Sequence, residues 1–157
     1  MRLPEIDHVI DVCKKHLNDS GAWGTEIEIY LTGCLLVFMC ATFEEHVEGL
    51  VNVRVSKSQD APLVAFVRSA TSQLFRSLKT SEIAGLLGRF GDEYRERFNI
   101  EMNQNQRAAT FFNNLVLKRH GTAHKAGSDL TFSEVVGFYS EAHSVLDAVV
   151  LVLGLTG

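Results

Sequence analysis

An all-α bundle of about five or six helices is the fold class this sequence predicts, and three observations carry it. Proline occurs only at Pro4 and Pro62, each where the first turn of a helix would fall and a missing N–H costs little. Two segments open with Thr-x-x-Glu, a pattern that satisfies the free amides of a helix start, and apolar residues recur behind them at helical steps. No segment of strand period competes in strength. The 157 residues fit one domain, taken as 1–157; a domain of this size buries roughly 70% of its unfolded surface and folds without a disulfide or metal staple.

The first helix is expected over Pro4 to Asn18, with Ile6, Val9, Ile10, Cys13 and Leu17 on one face and Asp19-Ser20-Gly21 as its stop. Thr25-x-x-Glu28 opens the second, whose apolar residues cover almost the whole circumference through Phe43; such a helix belongs at the centre. The polar stretch Ser56 to Asp60 leads to a third, from about Asp60 to Leu78. Thr80-Ser81-Glu82 starts a short fourth that Gly91 would end. The fifth begins near Asn103, turns Ala108, Phe111, Phe112, Leu115 and Val116 inward, and leads straight into Lys118-Arg119-His120-Gly121. Thr131-x-x-Glu134, with Leu130 and Val135 at hydrophobic-staple spacing, opens the last. Behind it Phe132, Val135, Tyr139, Ala142, Leu146, Val149 and Leu153 mark a helix–helix seam.

Charge and cysteine content narrow the function. Cys13, Cys34 and Cys40 form no C-x-x-C pair, which suggests neither a disulfide framework nor a zinc knuckle and points to a reducing, cytoplasmic setting. The segment Met1 to Asp7 turns acidic before any apolar run could act as a secretory signal. The most apolar stretch, Leu31 to Phe43, is short of the ~20 residues a bilayer crossing needs, so no membrane partner is expected. A net charge of −4 repels a phosphate backbone, so binding to duplex DNA is not expected and any nucleic-acid contact is local. Between Arg107 and Asp129 no carboxylate occurs, while Lys118, Arg119 and Lys125 do, with His120 and His124 among them. An anion would land there.

Several enzyme classes lack their required spacing. The run Gly85 to Gly91 has neither the G-x-G start of a dinucleotide fold nor the Gly-Lys-Ser/Thr of a P-loop, and G-x-S-x-G and H-E-x-x-H are absent. A di-iron site in a bundle needs two Glu-x-x-His elements, and Glu5-Ile6-Asp7-His8 is the only one. His46, among Glu44, Glu45 and Glu48, reads as part of a solvated helix face, and His143 as a packed or hydrogen-bonded histidine. No metal and no cofactor are expected.

What remains is Arg119-His120-Gly121-Thr122-Ala123-His124, an Arg and a His separated by four residues. Arg2 and His8 match the same loose pattern, so the context carries the specificity. The segment Leu115 to Gly127, with its apolar helix, Arg-polar pair, Ala-His dipeptide and following glycine, resembles the HEPN superfamily, and a capped final helix follows as it would there. Upstream, Phe38 to Leu50 with its Phe43-Glu44-Glu45 step, and Leu78 to Gly91, are similar to helices of the RiboL-PSP-associated branch. His120 departs from the pattern, standing where Asn is frequent in relatives.

The resemblance implies a HEPN-like bundle and a metal-independent endoribonuclease acting as a homodimer, with Arg119 and His124 catalytic. RNA carries its own nucleophile, the 2′-hydroxyl. The enzyme then needs a group that moves protons near neutral pH, which His does, and a fixed cation for the phosphoryl oxygens, which Arg provides. Lys118, His120 and Lys125 are the expected RNA contacts. Small single-domain members imply a toxin or phage-defence effector with a neutralising antitoxin or other protein partner. The alternative is a catalytically inactive HEPN module that binds RNA, a nucleotide or a protein. Five helical steps rotate by about 140°, so either Gly121 loosens the helix or two chains combine their motifs. Lying in a polar, glycine-containing segment, Arg119 is also expected to behave as a surface position.

Overall fold

The computed structural model describes residues 1–71, 74–75, 78–124 and 130–155, with side chains in the third of these stretches up to residue 119. Among them are eight helical segments: α1 (Pro4–Ser20), α2 (Glu26–Val55), α3 (Ala61–Thr71), α4 (Thr80–Leu87), α5 (Asp92–Gln104), α6 (Gln106–His124), α7 (Phe132–Ala142) and α8 (Ser144–Val152). The all-α class is as expected; the divisions are finer. α2 is the axis, packed against α1, α3, α6, α7 and α8. Its Phe43 ring sits 5.1 Å from that of Phe112 on α6 and 6.2 Å from that of Tyr139 on α7, which joins the three central helices in one aromatic cluster.

Local chemistry accounts for most boundaries. α1 runs two residues past Asn18 and stops at Gly21, whose left-handed φ of 63° is open to a residue without a Cβ. At the start of α2, Thr25 Oγ1 accepts from Ile27 N–H. Glu28 does not close a box on Thr25: it accepts instead from Gly24 N–H at 2.7 Å and from Phe132 N–H at 3.4 Å, so one carboxylate ties the starts of α2 and α7. The second box closes as expected, with Glu134 N–H donating to Thr131 Oγ1 and Thr131 N–H to Glu134 Oε2. That pairing, first the backbone and then the side-chain bond from Thr131, holds the Glu134 carboxyl below its ordinary range.

The departures have physical causes. α4 ends at Gly88, and Gly91, at φ 147°, instead opens α5, a helix the sequence reading left unassigned. α5 is polar and buries only Phe98 and Met102, too thin a stripe to stand out by periodicity. α6 starts at Gln106, where Asn105 breaks the path and its side chain accepts from Ala108 N–H. α3 covers Ala61–Thr71 of the longer span expected; Ser72, Gln73, Arg76 and Ser77 lie outside the described residues. The last helix divides at His143, whose N–H still reaches Tyr139 O at 3.4 Å, so α7 and α8 run almost as one.

By length and composition, Glu26–Val55 and Phe132–Val152 could each cross a membrane. Leu31 to Phe43 is thus part of a longer apolar helix than the sequence reading supposed. Here the two stretches pack on each other, and their buried residues supply much of the hydrophobic core.

Candidate functional site

Arg119 continues the inward stripe of α6, following Ala108, Phe112 and Leu115 at steps of four and three. A charge at the end of an apolar stripe requires a partner where the seam closes. Glu44, one turn beyond the buried Cys40 on α2, supplies it: Arg119 Nη1 donates to Glu44 Oε1 at 2.9 Å. The side chains are only 17% and 19% exposed, so Arg119 is not the surface position expected of it. The aromatic cluster fixes the two backbones a few residues away, and the guanidinium is seated rather than free to sweep solvent.

Cys40 lies beside this pair. Burial pushes its thiol up to about 12; the Arg119 charge opposes that rise and the Glu44 charge adds to it. It is therefore a neutral thiol, not a nucleophile, at physiological pH. Lys118 is exposed on α6, and its charge reaches the Glu134 carboxylate at the start of α7.

His120 and His124 belong to α6 by their backbone, but their side chains lie outside the description, as does Lys125 altogether. The path of α6 nevertheless decides one question. The helix continues through Gly121 to His124, so Gly121 does not loosen it, and Arg119 and His124 stand about 140° apart around the axis.

His46 is part-buried rather than on a solvated face. Its Nδ1 is 3.0 Å from Thr42 O and its Nε2 3.3 Å from Glu5 Oε1, which ties α1 to α2. His143 is hydrogen-bonded, with Nδ1 3.2 Å from Tyr139 O. Among the described residues no three His, Cys, Asp or Glu side chains converge as metal ligands would. Sequence reasoning missed the role of Glu44, although the Phe43-Glu44-Glu45 step had been singled out. Its signal was the first carboxylate after fifteen uncharged residues of α2.

A family model described as RiboL-PSP-HEPN matches residues 2–154, and the chain belongs to that family. No curated protein and no solved structure matched. Membership makes the chain a module of the ribonuclease-like or nucleotide-binding kind, in a superfamily whose domains commonly bind RNA and dimerise.

Proposed function

We propose that the chain is a metal-independent endoribonuclease in which Arg119 and His124 act on one phosphodiester, in a dimer of two copies. The observation that carries this reading is the seating of Arg119: a mostly buried guanidinium, oriented by Glu44, on the helix that also bears His124. The 2′-hydroxyl oxygen attacks phosphorus and the bond to the 5′-oxygen breaks. An imidazole takes the 2′ proton, an imidazolium protonates the leaving oxygen, and the products are a 2′,3′-cyclic phosphate and a 5′-hydroxyl. Arg119 offsets charge on the non-bridging oxygens, while Lys118, His120 and Lys125 hold the strand. A cytoplasmic toxin or defence effector, restrained by a protein partner, is the cellular role this chemistry suits.

A second copy is supported by the unbroken α6 and by α2. The outward face of α2 carries Ile27, Tyr30, Cys34, Val37 and Ala41, all exposed, at steps of three, four, three and four. Further along the same face Glu45 and Gly49 are polar or small, as on a solvated helix. The apolar half has the spacing of a helix–helix seam. Two copies joined there with α2 helices parallel bring both Arg119–Glu44 pairs to the same end. An antiparallel pairing about Cys34 would leave them roughly 30 Å apart, from ten residues' rise on either side.

Incubation of purified protein with single-stranded RNA in excess chelator tests the reading. Wild type should leave 2′,3′-cyclic ends and spare DNA of the same sequence, and His124→Ala should lower the rate by about 10²–10⁴. The second reading, an inactive module that binds RNA, a nucleotide or a protein, is favoured by one observation: the Arg119 charge already faces a carboxylate. RNA retained but uncut by wild type would select it.

A further inference from the structure

A groove of about 430 Å³ lies between the C-terminal half of α2, α3 and the end of α4. Its walls include Val51, Val55, Val64, Val67, Leu86 and Phe90, and Arg54, Lys57 and Arg89 stand among them. Among the described residues no carboxylate lines it, in a chain where acidic residues outnumber Lys and Arg by 19 to 15. Among the described residues none of these three cations has a carboxylate within ion-pair distance. Two are held in place by neutral partners: Arg54 Nη2 donates to Tyr94 Oη at 2.9 Å, and Lys57 Nζ to Gly154 O at 3.2 Å.

α3 gives the second observation. It is an apolar helix of eleven residues without one buried side chain. Its inner residues Val64 and Val67 are only half-covered, and Leu63 and Phe66 are 50% and 69% exposed. A helix of this composition gains stability by burying an apolar face, yet this one stands over a gap. The volume is within the range of small-molecule sites.

We propose that this groove binds a small amphiphilic anion: an apolar chain along the valines and Leu86 under α3, with a carboxylate held by Arg89 and Lys57. Six of the lining residues are Val or Leu against one aromatic ring, Phe90, and two hydroxyls, Ser58 and Thr71, a wall that suits a hydrocarbon chain better than a base or sugar with many hydrogen-bonding groups. The cations without carboxylate partners select a charged head over a neutral one. Acidic residues such as Asp60 and Glu93 flank the elements around the groove, so an anionic membrane is a poorer match than a single small molecule.

The test uses the full chain and decanoate below its micelle concentration, followed by calorimetry and amide chemical shifts. Decanoate should bind one to one and shift resonances of residues 51–71 and 86–90. Decanol, with the same chain and no charge, should bind about tenfold more weakly, the worth of one charge-assisted hydrogen bond. Arg89→Ala, at an exposed position, should weaken decanoate by a similar factor and leave decanol unchanged, and Val67→Trp should exclude both. Equal affinity for acid and alcohol, no binding of decanoate, unchanged binding by Val67→Trp, or co-sedimentation with phosphatidic acid vesicles in place of one-to-one binding of free decanoate would each overturn the proposal.

Discussion

Arg119 shows how one residue can be legible in chemistry and illegible in setting. Its spacing to His124 marked it in the sequence; its partner, 75 residues away, could be found only by packing α2 on α6. Sheltered pairs punish the loss of one member, because the other charge stays behind in a poor solvent for it. Arg119→Ala should therefore cost about 1–3 kcal/mol, between the worth of surface and fully buried pairs. Leu146→Ala, wholly buried on α8, should cost roughly 2–5 kcal/mol. Urea midpoints of the two variants check both values, and an Arg119→Ala midpoint equal to wild type would mean that the pair contributes nothing. The cysteines diverge for the same reason of setting. Cys34 is exposed on α2, whereas Cys40 is buried with its thiol pushed up to about 12. A maleimide should label Cys34 readily once Tyr30→Arg opens the α2 seam, more slowly in the proposed wild-type dimer, and reach Cys40 only after denaturation in either, as mass spectrometry of the peptides would show.

Among elements, the joint between the start of the chain and α7 makes the most specific demand. Leu3 N–H donates to Tyr139 Oη at 2.9 Å, and the hydroxyl donates back to Leu3 O at 3.2 Å, both fully buried. Removing that oxygen strands an amide, so Tyr139→Phe should lose about 1–3 kcal/mol. Burial raises the Tyr139 phenol above its ordinary value of 10.0, opposed by the bond to Leu3 and by Arg2, and supported by Asp7 and Glu5. A raised acid stabilises the fold fully below its unfolded pKa, and that contribution fades as pH climbs through the folded one. Wild type should therefore lose thermal stability above pH 10 more steeply than Tyr139→Phe; parallel melting curves against pH would show that the phenol plays no part. The elements that were legible were those with a strong stripe or a closed cap: α1, α2, α6 and the α7–α8 pair. α5 was not, because Tyr94, Phe98 and Met102 recur every four residues amid nine polar ones, and its stability comes from docking on α4 and α8. Gly91 read as a stop because a glycine at a positive φ serves either side of a junction.

At the scale of the whole molecule, the class of fold and the family were both readable, since capping and periodicity agree along nearly the entire chain. What covers the outer face of α2 was not, because a helix apolar on all sides gives no sign of which side the bundle will use. If a second copy covers it, Tyr30→Arg should shift the mass seen by light scattering at micromolar concentration from dimer to monomer and abolish RNA cleavage together. A wild type that is monomeric and active would overturn both the dimer and the joint action of Arg119 and His124, which one unbroken α6 holds about 140° apart.

The Leu3–Tyr139 joint also has a consequence in time. A ribosome adding roughly 5–20 residues each second exposes α1 many seconds before the tyrosine that anchors its leading end has been made. Arg119, too, is translated long after Glu44. A nascent chain can lay α1 on α2 early, yet it completes neither the Leu3 joint nor the seat of the guanidinium until α7 and α6 have been synthesised. The order of synthesis thus postpones the Arg119–Glu44 pair until α6 has been made, and the Leu3–Tyr139 joint closes later still.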